Sequence, residues 1–360
     1  MILFEERLYK KEAAEKIAGK NDSILAVDIG GTNTDFGLLH REKGKVKLLI
    51  SFHFRSRDVT DFTAVVEQVL DHLREKYRIS PRHCCVAGAG VVSKNGTYIK
   101  ITNLPWSVDT SEIQKKTGLA AIAINDFQAI AYGIEALPKK SIKTIKKGKP
   151  AQNGTLALLG AGTGLGKAIL LFDEDKKCYV PFPSEGGHAE LIVTDKNEYE
   201  FAEFVRSRSK SAVVTWEDAL SGNGIRNIYL FLGKDKKYSN TKYTVEIEKS
   251  GCDPQLIAKY QENDAQCKDT FTMFLAFYGR CAKNFALDIL AEGGVYIAGG
   301  IAGKNIGMFQ NKAFTQELTR TKKLQEVLQN IPVYVITDYN VSLYGAAVAA
   351  LRIGLKEEMR

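Results

Sequence analysis

The chain alternates between short apolar runs and stretches in which apolar residues recur every three or four positions. Residues 24–39, ILAVDIGGTNTDFGLL, place two apolar runs on either side of a glycine-rich polar segment, which predicts two strands joined by a tight turn. In residues 59–77 the apolar positions have helical spacing and predict an amphipathic helix. Further strands are predicted at 84–92, 98–103 and 120–125, and further helices at 111–118 and 126–137. This order predicts the α/β class, with a mixed sheet covered by helices.

A second unit follows the lysine-rich segment 138–152, which we interpret as a solvated linker. Residues 155–172, TLALLGAGTGLGKAILLF, again show a strand, a glycine and threonine turn, and a returning strand. The repeat is weak in sequence and clear in pattern, and it predicts a duplicated α/β unit. The other predicted elements are a helix at 271–290, a strand and double-glycine turn at 293–304, a strand at 331–338 and a final helix at 342–354, whose small residues allow close packing on a neighbour.

Length and charge limit the class of protein. A chain of 360 residues suggests about two domains. There is no apolar run near the roughly 18 residues of a membrane span, and the charged N-terminus predicts a short amphipathic helix and no secretory signal, so we expect a cytoplasmic protein. The net charge of +8 permits an anionic ligand or weak contact with nucleic acid. No aromatic residues are interleaved with the lysines of 139–149, which argues against a nucleic-acid partner.

The six cysteines are scattered through the chain and form no C-x-x-C pair. This spacing argues against a zinc or redox motif. In a cytosolic chain we expect them to be reduced and mostly buried.

The glycine turns predict a place for an anion. Consecutive backbone N–H groups in a tight turn form an electropositive concavity, and glycine lets a ligand approach the backbone. One such turn is a weak signal, but two related turns and a third Gly-Gly at 299–300 favour a polyphosphate held between two hairpins. GAGTGLG is close to G-x-G-x-x-G, yet it joins two strands, which disfavours a dinucleotide site. Asp28 either holds Mg²⁺ through water or stabilises its turn by local hydrogen bonds.

A second polar group of residues predicts a sugar-like substrate. Asn125 and Asp126 lie where a buried strand meets a helix, and either of them could be a helix N-cap. Glu185 and His188 flank two glycines, and Glu217 precedes LSGNG. These carboxylates and amides occur without a lysine or arginine cluster. They suit a neutral polyhydroxylated substrate better than a phosphorylated one.

The same motifs carry a family resemblance. The sequence resembles the bacterial-type glucokinases, within the superfamily of hexokinases, actin and heat-shock ATPases. The matching segments run in family order from residue 24 to about residue 350: DIGGTNT, ITNLPW, INDFQAIAYGI, GAGTGLGKA, PSEGGHAE, EDALSGNG and YIAGGI. Related kinases with a cysteine-rich zinc motif match less well, because this chain has no such cysteine cluster.

The resemblance implies an α/β fold of two ribonuclease H-like, actin-like ATPase lobes, with mixed sheets flanked by helices and the active site in the cleft between them. The small lobe would comprise residues 1–137 and about 339–360, and the large lobe residues 138–338. The implied reaction is the ATP-dependent phosphorylation of glucose at its 6-hydroxyl, giving glucose 6-phosphate and ADP, which is the first step of glycolysis. The implied partners are glucose, ATP and Mg²⁺, with no nucleic acid and no membrane, and we expect a homodimer.

Residue roles also follow from the resemblance. Asp126 would be the catalytic base, and the sugar would be bound by Asn103, Asn125, Asp126, Glu185, His188 and Glu217. The nucleotide would be bound by Asp28, Gly30, Gly31, Thr32, Asn33, Gly162, Thr163 and Gly164 around its phosphates, and by Gly299 and Gly300 beside its adenosine. Asp28 would reach Mg²⁺ through water.

Two alternatives stay open at this point, and a third is disfavoured. The chain could phosphorylate another hexose, or it could be a non-catalytic actin-like ATPase that needs the hairpins but not the sugar-binding residues. A sugar-sensing regulator would need a DNA-binding module, for which some 20 N-terminal residues are too few.

Overall fold

The computed structural model describes residues 2–18, 23–102, 104–235 and 237–354. The chain divides into two compact units. The first comprises Met1–Lys139, Tyr179–Pro183 and Asp338–Arg360, and the second comprises Lys140–Cys178 and Ser184–Thr337. The first unit is therefore built from both ends of the sequence.

The first unit contains a six-stranded mixed sheet in the order β1-β4-β3-β2-β5-β9. Its strands are β1 (Glu5–Leu8), β2 (Ser23–Ile29), β3 (Asn33–Glu42), β4 (Lys45–Arg55), β5 (His83–Gly88) and β9 (Ala120–Asn125). The pairs from β1 to β2 are antiparallel, whereas β2–β5 and β5–β9 are parallel. A small antiparallel sheet is formed by β6 (Gly90–Val92), β7 (Tyr98–Ile101) and β8 (Ser107–Asp109).

The helices of the first unit are α1 (Lys11–Ile17), α2 (Phe62–Tyr77), α3 (Thr110–Thr117), α4 (Asp126–Gly133) and a C-terminal helix, Val341–Ala349. Three of them, α2, α3 and α4, begin at a residue whose side chain caps the helix. The Asp61 side chain accepts a hydrogen bond from the Ala64 amide at 3.1 Å and so fixes the start of α2. Helix α2 ends at Tyr77, and the next residue, Arg78, has a left-handed backbone conformation with φ 57°.

Alternate residues of β2 face two different helical layers. Leu25, Val27 and Ile29 belong to the core cluster that contains the apolar face of α2. Ile24 and Ala26 belong to the cluster that contains α4 and the C-terminal helix. Because side chains alternate along a strand, Asp28 is placed on the same face as Ile24 and Ala26.

Two glycines let the C-terminal helix lie directly against α4. A Cβ atom on Gly345 would overlap the carbonyl oxygen of Ala129, and one on Gly133 would overlap that of Val341. The small residues predicted to permit close packing therefore do so. The helix continues as a π-helical turn over Ala350–Gly354.

A second six-stranded sheet has the order β10-β15-β14-β11-β12-β13. Its strands are β10 (Ile142–Lys146), β11 (Leu156–Ala161), β12 (Leu165–Asp173), β13 (Cys178–Ser184), β14 (Gly294–Ala298) and β15 (Val333–Ile336). The β11–β12 hairpin is antiparallel, and β14 and β15 extend the sheet in parallel from β11. In the first unit, the β2–β3 hairpin is followed by parallel β5 and β9 in the same way. This shared topology confirms the predicted repeat.

The helices of the second unit are more numerous among its described residues. They are α5 (Lys196–Ser209), α6 (Trp216–Ala219), α7 (Gly222–Leu232), α8 (Lys242–Lys249), α9 (Pro254–Lys259), α10 (Ala265–Asp288), α11 (Gly300–Lys304), α12 (Ala313–Thr319) and α13 (Gln325–Asn330). The long helix α10 contributes Phe271, Phe274 and Tyr278 to one core cluster with Ala157 and Leu159 of β11.

The predicted solvated linker is wrong for part of its length. Residues 142–146 form β10, which pairs antiparallel with β15 at the edge of the second sheet. Lys146 Nζ donates to the carbonyl oxygens of Gln329 and Ile331, both at 2.7 Å. The lysines are compatible with a strand because an edge position leaves charged side chains in solvent and discourages pairing with another chain.

Several predicted boundaries also need correction. The apolar run 84–92 is two strands, β5 and β6, and a Cβ on Gly90, the first residue of β6, would overlap the carbonyl of Lys100. The helix predicted at 126–137 ends at Gly133, and the one predicted at 271–290 is α10, which begins earlier, at Ala265, behind the N-cap Asp264. The strand predicted at 98–103 is β7 and ends at Ile101.

All six cysteines are free thiols, and all except the half-buried Cys178 are buried, as predicted. Burial raises the pKa of the Cys84 thiol to about 12. Within the four described stretches of the chain, no helix combines the length and the apolar character that crossing a membrane requires.

The N-terminal segment differs from the predicted single helix, because it contains β1 before α1. Glu6 of β1 reaches the end of α2, where its carboxylate accepts hydrogen bonds from His72 Nε2 at 2.7 Å, Lys76 Nζ at 2.8 Å and the Tyr77 hydroxyl. Partial burial disfavours the Glu6 carboxylate, but the bonds from Lys76, Tyr77 and His72 outweigh it and lower its pKa below the ordinary value of 4.5. The segment therefore adds an edge strand to the first sheet and anchors it to α2.

Glu6→Gln should lower the free energy of unfolding of the first unit by about 1–2 kcal/mol at neutral pH, because the bonds to a charged acceptor are weakened. Since folding lowers the pKa of Glu6, its stabilising effect is complete above 4.5 and is lost as the pH falls through the lowered value. Urea unfolding at neutral pH and below pH 4.5 measures both effects. Glu5→Gln, on the exposed side of the same strand, is the matched control. An equal effect of the two substitutions would contradict the anchoring role.

Candidate active site

A serine from a neighbouring segment supports the main chain of the first hairpin turn. The Gly30 amide donates to the Asn33 carbonyl at 2.8 Å, which closes the turn. Ser56 Oγ donates to the Gly30 carbonyl at 2.7 Å, and the Ser56 amide donates to the Thr32 carbonyl at 2.9 Å. Gly31 is exposed, and a Cβ there would meet no other atom within 4 Å. The turn thus presents main chain to open space, and Ser56 is a supporting residue that the sequence analysis missed.

Asp28 interrupts the apolar β2 strand next to this turn. It is half-buried, and it accepts a hydrogen bond from Ser342 Oγ on the C-terminal helix. Its pKa is raised to about 7, chiefly because the carboxylate is removed from water; the Ser342 bond opposes this shift, and the negative charges of Asp126 and Asp35 add to it. In such surroundings, a nearby cation would stabilise the ionised form of the carboxylate.

The start of α4 resolves which residue is the helix cap. Asn125 Oδ1 accepts hydrogen bonds from the amides of Phe127 at 2.9 Å and Gln128 at 3.3 Å, so Asn125 is the N-cap. Asp126 is the first helical residue, and its Oδ1 accepts from the Phe127 amide at 2.9 Å. The cap alternative therefore holds for Asn125 and not for Asp126. Asn103, also predicted to bind sugar, lies outside the described residues.

The second hairpin turn, between β11 and β12, has the same open character. The Gly162 amide donates to the Gly164 carbonyl at 2.8 Å, Thr163 is exposed, and a Cβ on Gly162 would meet nothing within 4 Å. The third glycine pair lies beside it, because a Cβ on Gly299 would overlap the carbonyl of Ala161 at the end of β11. Gly299 has φ +90°, and open space adjoins Gly300.

Glu185 and His188 converge on one exposed loop. A 3-10 turn at Gly186–His188 brings Glu185 Oε2 within 3.8 Å of His188 Nε2, with side chains that are 89% and 62% exposed. The middle of the loop is anchored to the second hairpin, because Gly187 is buried and a Cβ on it would overlap the carbonyl of Leu165. The two polar side chains therefore project from a loop whose backbone rests on β12.

Glu217 contacts the second hairpin directly. It lies on the short helix α6, which is fixed by a capping box between Thr215 and Asp218. Its Oε2 accepts a hydrogen bond from the Leu165 amide at 2.8 Å. The next segment is also attached to the hairpin, since the Gly222 amide donates to the Gly162 carbonyl at 2.9 Å.

Each unit thus gathers its own group of predicted site residues. In the first unit, Asp28 and Asn125–Asp126 lie at the carboxyl ends of β2 and β9, with the 30–33 turn beside them. In the second unit, Glu217 lies against Gly164 of the 162–164 turn, and the 185–188 loop contacts Leu165, the residue directly after the turn. Sequence reasoning missed Ser56, Ser342 and the main chain of Leu165. Of these, only Ser342 could have been singled out from the sequence, because it lies near the start of the predicted small-residue helix.

Comparisons with known proteins agree with this arrangement. The glucokinase family profile matches residues 25–353. A glucokinase of Nostoc punctiforme is 34% identical over 345 residues, which cover 92% of this chain and 99% of that protein. The crystal structure of a glucokinase from an Antarctic psychrotroph superposes with a TM-score of 0.78 and 26% identity, covering 92% of this chain and 99% of the other.

A more distant structure has the same fold. It is a ROK family glucokinase from Streptomyces griseus in complex with glucose and AMPPNP, with a TM-score of 0.62, 16% identity, and coverage of 92% of this chain and 99% of that one. These likenesses confirm the predicted α/β class and actin-like ATPase fold. The chain belongs to the glucokinase family.

Proposed function

We propose that this chain transfers the γ-phosphoryl group of ATP to the 6-hydroxyl of glucose, giving glucose 6-phosphate and ADP, the first step of glycolysis. The observation that carries the proposal is in the second unit, where Glu217 and the loop bearing Glu185 and His188 both contact Leu165, the residue directly after the predicted phosphate turn 162–164. A relative named glucokinase is 34% identical over almost its whole length. The Streptomyces griseus structure contains glucose and an ATP analogue, which supports ATP as the donor.

The two turns would hold the phosphates. Gly31 and Gly162 adjoin open space, so that phosphate oxygens can approach backbone N–H groups without meeting a side chain. The side chains of Thr32, Asn33 and Thr163 are exposed and would add further donors. Gly299 and Gly300 would line the adenosine side, next to the end of β11.

Asp28 would hold Mg²⁺ through water. Across the described stretches of the chain, no cluster of three or more histidine, cysteine or acidic residues could hold a metal ion. Mg²⁺ bound to a nucleotide usually needs only one or two carboxylates together with phosphates and water, so a single Asp28 fits. When bound, Mg²⁺ neutralises charge on the phosphates during transfer.

Asp126 would accept the proton of the attacking 6-hydroxyl. Because Asn125 caps α4, Asp126 is not required for that purpose. It is the first residue of the helix, and the Phe127 amide, which donates to its Oδ1 at 2.9 Å, orients the carboxylate. Asn125, Glu185, His188 and Glu217, with Asn103, would bind the other sugar hydroxyls through their amide, imidazole and carboxylate groups.

The activity is tested by measuring ADP release with glucose, other hexoses, 6-deoxyglucose and no sugar. We expect release with glucose and none above background with 6-deoxyglucose, which lacks the accepting hydroxyl. Equal ADP release without sugar would identify an actin-like ATPase that does not phosphorylate a sugar. Faster release with another hexose would identify that hexose, and not glucose, as the substrate. Either result would overturn the proposal.

We expect the enzyme to be a cytoplasmic homodimer without a nucleic-acid or membrane partner. The six free thiols suit a reducing compartment. Light scattering coupled to size-exclusion chromatography measures the oligomeric state.

Asp126→Asn should lower kcat by about 10²- to 10⁴-fold, the usual contribution of a general base. The affinity for glucose should be nearly unchanged, because the amide keeps the size and most hydrogen bonds of the acid. Turnover and calorimetric glucose binding measure the two quantities. The unfolding temperature is the control, and it should stay constant because Asn125 supplies the cap. Turnover close to that of the unmodified protein would exclude Asp126 as the base.

Ser342→Ala should weaken the use of MgATP, because Asp28 loses the hydroxyl that orients it. We expect kcat/KM for MgATP to fall by roughly five- to tenfold, the equivalent of about 1–1.4 kcal/mol. The effect should be largest at limiting Mg²⁺. Alanine is a better helix former than serine, so thermal stability should be retained. An unchanged Mg²⁺ dependence would show that Ser342 only packs the helix.

A further inference from the structure

We infer that Glu217 couples the binding of the sugar to the binding of the nucleotide, through the main chain of Leu165. The inference rests on the proposed function, in which Glu217 binds a sugar hydroxyl and the 162–164 turn holds phosphates. It adds an energetic link between the two ligands, carried by residues of the second unit alone.

The first observation is the hydrogen bond between the two sites. Leu165 is the first residue of β12, directly after the phosphate turn, and its amide donates to Glu217 Oε2 at 2.8 Å. Glu217 lies 52 positions from Leu165 in the sequence, and the short helix that carries it is fixed at its N-terminus by a capping box. The α6 capping box is closed by the Thr215 amide, which donates to Asp218 Oδ2 at 2.8 Å, and the neighbouring Trp216 is 3% exposed.

The second observation is how closely the surrounding backbone approaches. A Cβ on Gly164 would overlap Glu217 Oε2, so the carboxylate lies directly against the turn. On the other side of the same residue, the carbonyl of Leu165 touches Gly187, in the loop that carries Glu185 and His188. Leu165 is therefore held at its amide by one predicted sugar residue and at its carbonyl by the loop bearing two others.

The chemistry of a carboxylate allows both tasks at once. Its two oxygens can accept about four hydrogen bonds, so that Oε2 can keep the Leu165 amide while Oε1 accepts a sugar hydroxyl. A sugar that fixes Glu217 also fixes the start of β12, and phosphates that fix the turn also fix Glu217. Each ligand then orders a part of the site that the other ligand needs, which produces positive coupling.

The coupling is measured by calorimetry on the full chain. The Kd of glucose is determined with and without saturating MgAMPPNP, and the Kd of MgAMPPNP with and without saturating glucose. We expect each Kd to fall by the same factor, because linkage is reciprocal, and the factor should be at least about fivefold.

Three variants locate the coupling. Gly164→Ala should bring the factor close to one, because the added methyl group displaces the Glu217 carboxylate. Glu217→Asp should do the same, because the shorter side chain cannot reach the Leu165 amide. Glu217→Gln should weaken glucose binding but keep the factor, since an amide oxygen still accepts the Leu165 N–H.

Gly222→Ala is the matched control. Its amide also bonds to the turn, but an added Cβ would meet only ordinary contacts at 3.7 and 3.8 Å. We expect its coupling factor to equal that of the unmodified protein. The unfolding temperature of each variant establishes that it is folded, and two independent variants disrupt the link in case one of them does not fold.

The outcomes separate this inference from the proposed function. If the unmodified protein binds both ligands with a factor of one, the coupling is wrong and the proposed function is unaffected. If the factor persists in both Gly164→Ala and Glu217→Asp, another route carries it and Glu217 is excluded. If the protein binds no hexose at all, the proposed function fails first.

Discussion

The hydrogen bond between Asp28 and Ser342 joins strand β2 to the C-terminal helix, and it orients the one acidic side chain of that strand. Asp28 is a carboxylate on a strand whose other residues are buried and, apart from Ser23, apolar. Its burial and the neighbouring charges of Asp126 and Asp35 disfavour the ionised form, which raises its pKa to about 7. Because burying a carboxylate costs free energy, the acid at this position is best explained by a use at the site. Ser342 can offset part of the penalty because the C-terminal helix packs on the same face of the sheet as Asp28, beside α4, and its close packing against α4 requires glycine at positions 133 and 345.

The two units share a topology but use it differently. In both, an antiparallel hairpin is continued by two parallel strands, so that an open glycine turn lies beside the carboxyl ends of neighbouring strands. The first unit places carboxylates at this edge, namely Asp28 and Asp126. The second unit surrounds the base of its turn, at Leu165, with a polar loop and with Glu217. A duplicated fold thus provides two similar backbone cradles, and the side chains around each cradle determine what it can contribute.

Patterns in the sequence predicted those features that depend on local residues. The two hairpins follow from apolar runs separated by glycine, and the repeat follows from comparing them. The strand β1 was missed because its four residues, EERL, are mostly charged and become a strand only by pairing with β4. The strand β10 was interpreted as a linker for the same reason, since its lysines suit solvent and its partner β15 lies nearly 200 positions later. Ser342 and Leu165 act through contacts with distant residues, Asp28 and Glu217, which no local pattern records.

The distribution of charge explains why the net charge of +8 indicates so little about the ligand. Much of the lysine excess lies on and beside the edge strand β10, where Lys143 and Lys147 are exposed and Lys146 bonds to backbone carbonyls. The predicted site residues are instead acidic or neutral, and the open turns offer backbone N–H groups. Such a site binds a polyanion through amide dipoles and an accompanying cation, whereas a lysine cluster would bind it directly. The same absence of a lysine or arginine cluster in the sequence motifs leaves hydroxyl groups, rather than a second phosphate, as the chemistry that Glu185, His188 and Glu217 can recognise.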